Sequence, residues 1–193
     1  FRNWIIGNVT SEISRIEEEK VPTEGIIRGS YSWPINSSMA LEIGAEGSLN
    51  NLNQTFNAFF DLDNNGSVEP LPTLNTEVEE LREELFIIHN WTINNRLALE
   101  SSVVAEASNV SNNFDSAPDQ DYFFIKPRVD LRYDLTSSDQ IQMKIERTVE
   151  QLVLNLFVPA FDSNDTEVDA GNLGLTPQTA WEFEARYERR LTN

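Results

Sequence analysis

The sequence predicts an all-β chain, an antiparallel up-and-down meander of about seven or eight strands. Two observations predict it. Three short polar turns share one signature: Trp33-Pro34-Ile35-Asn36-Ser37-Ser38-Met39-Ala40-Leu41-Glu42 aligns with Trp91-Thr92-Ile93-Asn94-Asn95-Arg96-Leu97-Ala98-Leu99-Glu100, and more loosely with Tyr133-Asp134-Leu135-Thr136-Ser137-Ser138-Asp139-Gln140-Ile141-Gln142. Around these turns the residues alternate between apolar and polar with the period of two that a strand imposes.

Tight turns near Asn36, Asn94 and Ser137 alternate with long, acidic, Asn-rich connections over about 48–76, 107–121 and 156–179. Short turns at one end of the strands and long loops at the other are the mark of an outer-membrane β-barrel. The segment 76–91 also places Val78, Leu81, Leu85 and Ile88 at helical spacing, among good helix formers. A strand is expected there, because the segment runs without a break through Phe86-Ile87-Ile88-His89-Asn90 into the turn. Between 97 and 106, Leu97, Leu99, Val103 and Ala105 alternate with Ala98, Glu100, Ser102, Val104 and Glu106.

The clearest strand is 123–135, with Phe123, Ile125, Pro127, Val129, Leu131, Tyr133 and Leu135 on one face and Lys126, Arg128, Asp130, Arg132 and Asp134 on the other. In 140–149, Ile141, Met143, Ile145 and Val149 face away from Gln142, Lys144, Glu146 and Thr148, with Arg147 interrupting the apolar side; a strand is also expected over 145–156. The last strand sets Trp181, Phe183, Ala185 and Tyr187 against Glu182, Glu184, Arg186 and Glu188. Alternation of this kind fits a sandwich, whose apolar face packs on a second sheet, and a barrel, whose apolar face meets lipid. Trp33, Trp91, Tyr133 and Tyr187, each at the entry to a short turn or near the end of the chain, fall at one depth, as an interfacial aromatic girdle requires.

Composition narrows the class. The 193 residues are enough for one domain with a core. Hydrophobic residues make up 39% of them and the mean hydropathy is -0.40. No apolar run approaches the ~18 residues of a membrane helix, a criterion that strands escape. There is no cysteine, hence no disulfide and no thiolate zinc site. A net charge of -18, with a pI near 4.3, argues against nucleic acid as a partner.

Candidate chemistry is sparse. Asp61-Leu62-Asp63-Asn64-Asn65-Gly66-Ser67-Val68-Glu69 follows the first half of a calcium loop, with oxygen ligands at Asp61, Asp63 and Asn65. Pro72 stands where the bidentate Glu belongs, so these are weak calcium candidates that Asp162, Asp165, Glu167 or Asp169 of another loop would have to complete. His89 is the sole histidine and has no nucleophile to serve. Glu182 and Glu184 share a face but read more simply as carboxylates in a wet lumen than as an acid–base pair. No enzyme is expected and no cofactor. Asn-x-Ser/Thr triplets at Asn8, Asn53 and Asn90 would carry glycans only in a secreted eukaryotic protein.

Over Lys126–Leu135, Lys144–Leu152, Phe161–Ser163, Asp169–Pro177 and Ala180–Glu188 the chain resembles the barrel of TonB-dependent outer-membrane receptors. The Gly171–Pro177 loop of Gly-Asn-x-x-Leu-x-Pro type, followed by Trp181-Glu182 and an aromatic-Glu pair, carries the resemblance; over about 25–120 it is one of hairpin rhythm. The resemblance implies a barrel of about 22 strands filled by a plug in the outer membrane of a Gram-negative bacterium. It implies uptake of a scarce small-molecule ligand (siderophore-bound iron, cobalamin or carbohydrate) driven by the TonB complex. The chain shows no plug, no TonB box and no terminal aromatic strand, so residues 1–193 are expected to be one barrel segment of a longer protein, with its own plug domain, the TonB complex and membrane lipid as partners. Lys126, Arg128, Asp130, Arg132, Glu182, Glu184 and Arg186 would then face the lumen, anchoring the plug or lining the ligand's path. Two other readings remain: a soluble secreted β-sandwich or small barrel that binds carbohydrate or calcium, and a passive porin.

Overall fold

The computed structural model describes residues 2–6, 9–60, 67–70, 72–113, 118–158, 160–161, 168–169, 171–172 and 174–191, with side chains for all of these except 2–14, 60, 160–161 and 168–169. The strands are β1 (Arg2–Ile6), β2 (Val9–Asn36), β3 (Met39–Phe60), β4 (Glu69–Pro70), β5 (Leu74–Asn94), β6 (Leu97–Asn112), β7 (Gln120–Asp134), β8 (Asp139–Val149), β9 (Ala160–Phe161), β10 (Val168–Asp169) and β11 (Thr179–Arg189). One antiparallel sheet holds them in the order β1-β2-β3-β5-β6-β7-β8-β11, with β4 added beside β3 and β9 paired with β10 apart from it. This is the meander expected from the sequence.

The three turns are built alike. Asn36 Oδ1 accepts the Ser38 amide at 2.8 Å, Asn94 Oδ1 accepts the Arg96 and Leu97 amides at 2.9 and 3.1 Å, and Thr136 Oγ1 accepts those of Ser138 and Asp139 at 3.1 and 3.0 Å. A short polar side chain that captures an amide two residues on is what makes Asn and Thr turn residues. Register slips at Ile35 and at Ile93, one residue before each Asn, so the first two hairpins carry the same bulge. Pro34 sits beside the first bulge, where a missing amide is tolerated.

Successive hairpins are offset. Trp33 lies across from Leu41, and Leu41 from His89, whereas Trp91 lies across from Met39, two residues nearer the turns. Tyr133 faces Leu97, again two residues beyond the Trp91–Leu99–Leu131 row, and Tyr187 shares the Tyr133–Ile141 row. Two residues, about 6.6 Å, gained over two inter-strand spacings of about 4.8 Å incline the turn-end rim by about 35° to the strand perpendicular. Of the aromatic residues that the sequence puts at one depth, Trp33, Trp91 and Tyr133 are thus level along a tilted axis, whereas Tyr187 falls two residues short of it.

Strands outrun the predicted boundaries. Residues 48–60 and 74–76 belong to β3 and β5, and 107–112 and 120–121 to β6 and β7, although their composition reads as loop. Cross-strand side chains hold these polar extensions: Asn50 donates to Glu80 at 3.1 Å, Asn51 to Glu77 at 3.0 Å, Asn109 to Asp121 at 2.8 Å and Thr73 to Asn57 at 2.7 Å. The 76–91 segment is strand, as expected. The strand expected over 145–156 ends at Val149, and Leu154–Leu156 forms a 3-10 turn. The reason is burial: Phe157 and Val158 tuck completely out of solvent against Leu52, Val78 and Val110, with Leu152, Leu154, Tyr122 and Leu175 around them. Continuing as a strand would have left that apolar run in the open.

The β7–β8 ladder runs from Asp134 to Arg128 and stops at Pro127. Arg147, the residue that interrupts the apolar side of β8, donates through its guanidinium to the Ile125 carbonyl at 3.0 Å and so replaces a ladder bond. Among the described residues, β11 has no partner on its far side and β2 has none there beyond Ser14.

Two glycines are required by space. A Cβ on Gly44 would lie 2.3 Å from the Phe86 ring and 2.6 Å from the Gly29 carbonyl, because Phe86 lies across the bare backbone. Gly171 has φ +78 and a Cβ there would meet the Phe157 carbonyl at 2.5 Å. Gly47→Ala meets only Ile27 Cγ2 at 3.7 Å. The expected outcome is a loss of about 1–3 kcal/mol for Gly44→Val and no measurable loss for Gly47→Ala, read from urea unfolding midpoints of the detergent-refolded chain.

Candidate functional site

Because strand side chains alternate, the registers sort the sheet into two surfaces. On one lie Ile27, Tyr31 and Trp33 of β2, Leu41, Ile43 and Leu49 of β3, Leu85, Ile87, His89 and Trp91 of β5, Val103 and Ala105 of β6, Phe123 to Tyr133 in alternation, Ile141, Met143 and Ile145, and Trp181, Phe183 and Tyr187. These apolar side chains are open to solvent, Ile27 at 78%, Phe183 at 75% and Leu85 at 67%. From Met39 to Leu49 the band is ten residue steps, about 33 Å along the strand, and about 27 Å in height once the 35° lean is taken out. His89 sits on this surface beside Trp91, ring centroids 6.3 Å apart.

The other surface is a lattice of charge. Lys126, Arg128, Asp130 and Arg132 of β7 and Glu182, Glu184 and Arg186 of β11 share it, as expected from their alternation. Three glutamates that the sequence reading did not single out stand side by side on it: Glu46 lies opposite Glu84, and Glu84 opposite Glu106. Adjacent carboxylates repel. Lys126 Nζ reaches across to Glu84 at 2.7 Å and Glu106 at 2.5 Å, and Arg28 holds Glu46 at 2.9 Å while stacking on the Phe86 ring at 4.3 Å. Nearer the turns, Arg128 pairs with Asp130 at 2.6 Å and Glu146 at 3.8 Å, Lys144 contacts Glu146 and lies 3.8 Å from Glu184, and Arg186 pairs with Glu184 at 3.1 Å. Glu182 accepts from the Thr148 hydroxyl at 3.1 Å.

Toward the far end of the charged surface, Glu80 is buried at 3% exposure and accepts from Asn50 and from Ser108, each at 3.1 Å. The Phe157–Val158 segment packs against this same end, and Tyr122 donates to the Leu175 carbonyl at 2.6 Å, holding the segment that leads into β11. At the turn end, Asp139 accepts from the Thr136 hydroxyl at 2.6 Å and from the Tyr187 hydroxyl, and those two bonds, Thr136 first, hold its carboxyl below the ordinary aspartate range.

Alternation alone could find the faces of β7 and β11. It could not find Glu84 as the partner of Lys126, two strands and 42 residues away, since that depends on register. Asp61, Asp63 and Asn65, the calcium candidates, lie outside the described residues, as do Asp162, Asp165 and Glu167. Among the described residues no three Asp, Glu or His side chains gather as metal ligands would, and no helix is long and apolar enough to cross a membrane.

No family model matches the chain, and no curated protein is similar to it. Among solved structures it is similar to the crystal structure of ferric citrate transporter FecA in the unliganded form, at 15% sequence identity and a TM-score of 0.47, over 76% of this chain. The chain spans 22% of that protein's length.

Lys126→Met removes the cation between Glu84 and Glu106 and is expected to cost about 1–3 kcal/mol, since these groups are mostly but not wholly desolvated. Adding Glu84→Gln and Glu106→Gln should restore most of the loss. Unfolding midpoints at neutral pH check both, and a destabilised triple variant would mean that the lysine acts through packing instead of charge.

Proposed function

We propose that the chain is part of the wall of an outer-membrane receptor barrel that takes up a scarce ligand with energy relayed by the TonB complex. The observation that carries the membrane reading is the surface from Trp33 to Tyr187: a broad, largely apolar band, interrupted by Glu83, His89 and Ser101, with side chains such as Ile27, Leu85 and Phe183 open to solvent and most of the charged residues on the opposite surface. Monomeric soluble proteins rarely leave such an area uncovered. Lipid covers it in a barrel, whose apolar belt is about 25 Å tall with aromatic residues at its rims and whose strands lean by about 35–45°; the 27 Å band and 35° lean derived above fit those dimensions. A β-sheet can lie in a bilayer only when every edge group is paired, so the open sides of β2 and β11 belong against further strands of the same wall.

The charged surface then lines a wet lumen. Lys126, Arg128, Asp130, Glu182, Glu184 and Arg186 hold one another in place there and supply a polar wall for a plug or for a passing ligand. The resemblance of 126–188 to TonB-dependent receptors favours a plugged receptor for iron-siderophore, cobalamin or carbohydrate, in a Gram-negative outer membrane, over a passive porin. A soluble sandwich would bury the apolar band under a second sheet, and among the described residues nothing covers Ile27, Leu85 or Phe183.

Brominated lipids provide the test. In liposomes made with them, Trp33, Trp91 and Trp181 fluorescence of the refolded chain should be strongly quenched. Leu85→Arg should cost about 2–4 kcal/mol of insertion, while Asn90→Arg on the opposite surface should insert normally. Unquenched tryptophans in a compact species that stays in solution without detergent would sink the reading.

A further inference from the structure

On the charged surface, most cations come matched. Arg28 has Glu46; Lys126 has Glu84 and Glu106; Arg128 has Asp130 and Glu146; Lys144 has Glu146 and Glu184; Arg186 has Glu184. Such matching is what a chain with 32 acidic and 14 basic residues would be expected to give. Arg82, between Ser48 and Ser108, departs from it toward the far end, and Arg132 departs from it at the turn end. Its register neighbours are Ala98 and Gln142, neither of them acidic. The carboxylates two residues away on its own strand are engaged elsewhere: Asp130 by Arg128 at 2.6 Å, and Asp134 by the Gln140 amide at 2.6 Å. Among the described residues Arg132 has no carboxylate within ion-pair distance.

Arg132 borders a concavity of about 500 Å³ at the turn end, lined also by Arg96, Arg190, Asp134, Asp139 and the turn residues Thr136 to Ser138. The backbone fixes the rim: the Asp134 amide donates to the Arg96 carbonyl and the Arg190 amide to the Ser138 carbonyl, each at 2.8 Å. Arg96, like Arg132, has no ion pair among the described residues. Asp139, the other carboxylate at the concavity, is occupied by Thr136, Tyr187 and, at 3.7 Å, Arg189. Two open guanidiniums, beside a third, Arg190, that Glu188 holds at 3.4 Å, make a site whose chemistry suits an oxyanion, since guanidinium binds carboxylate through paired, charge-assisted bonds.

We propose that Arg96 and Arg132 form a carboxylate-binding site at the turn end of the charged surface, and that its occupant is an acidic polypeptide segment. The proposal rests on the reading of that surface as a lumen wall. Arg132 stands on the charged surface and not on the apolar one, which favours a polypeptide inside the lumen over a lipid headgroup outside it. Net charge opposes indiscriminate attraction of anions to this chain, so capture of an acidic segment must be local and geometric.

The test uses the full chain refolded in detergent and a fluorescent oligoglutamate peptide followed by anisotropy, with oligoglutamine as the neutral control. Saturable binding of oligoglutamate alone is expected, weakened about tenfold by Arg132→Gln or by Arg96→Gln and unchanged by Arg28→Gln at the far end of the surface. Binding that persists in the Arg96→Gln/Arg132→Gln double variant, or equal binding of oligoglutamine, overturns the site. Displacement by inorganic phosphate at matched charge, or an arginine-dependent preference for phosphatidylglycerol nanodiscs over the peptide, overturns the polypeptide assignment. Bromolipid quenching measured on the same variants reports the membrane reading separately, so its failure and the failure of the site are told apart.

Discussion

Each turn hands its register to the next hairpin through one backbone hydrogen bond, and the rest of the sheet depends on it. The Ser38 carbonyl accepts the Thr92 amide and the Arg96 carbonyl accepts the Asp134 amide, each at 2.8 Å. Thr92 follows Trp91 and Asp134 follows Tyr133, so the same bond that joins the hairpins sets the two-residue offset of their aromatic residues. A slip by one residue would exchange the two faces of every later strand. In this chain that exchange would put Lys126 and Glu184 where Ile125 and Phe183 now lie, so register and face chemistry enforce each other.

That coupling explains how so acidic a chain tolerates closely spaced carboxylates. Glu46, Glu84 and Glu106 stand in one row because register puts them there, and Arg28 at the end of that row and Lys126 from the adjacent one offset the repulsion. The cations are few, and most are used for pairing within the surface. Arg147 instead supplies a main-chain bond that Pro127 and the end of β8 leave unmade. Where the ladder of ion pairs gives way to Glu80, Asn50 and Ser108, the loop after β8 folds back and excludes water with Phe157 and Val158.

Much of the fold was legible in the sequence because a strand's side-chain period is local. The repeat Trp-x-Ile-Asn located two turns, Thr136 a third, and the alternation in β7 and β11 sorted seven charged residues onto one surface. The polar ends of β3, β5 and β6 were not legible: Asn50, Asn51 and Asn109 read as loop residues until a partner strand offers Glu80, Glu77 and Asp121. The end of β8 was missed for a related reason. Leu152, Leu154, Phe157 and Val158 carry hydrophobicity without saying which distant surface they cover.

The sequence by itself determined the strand class, the short turns and the division of β7, β8 and β11 into an apolar and a charged side, since these follow from steric period and from the amide-capturing habits of Asn and Thr. Only the tertiary structure decided which charges meet. The Glu84–Lys126–Glu106 bridge, the Gly44 hollow beneath Phe86 and the unmatched Arg132 all depend on pairing between segments far apart in sequence, and such pairing is set by register summed over several strands, a quantity that no single segment contains.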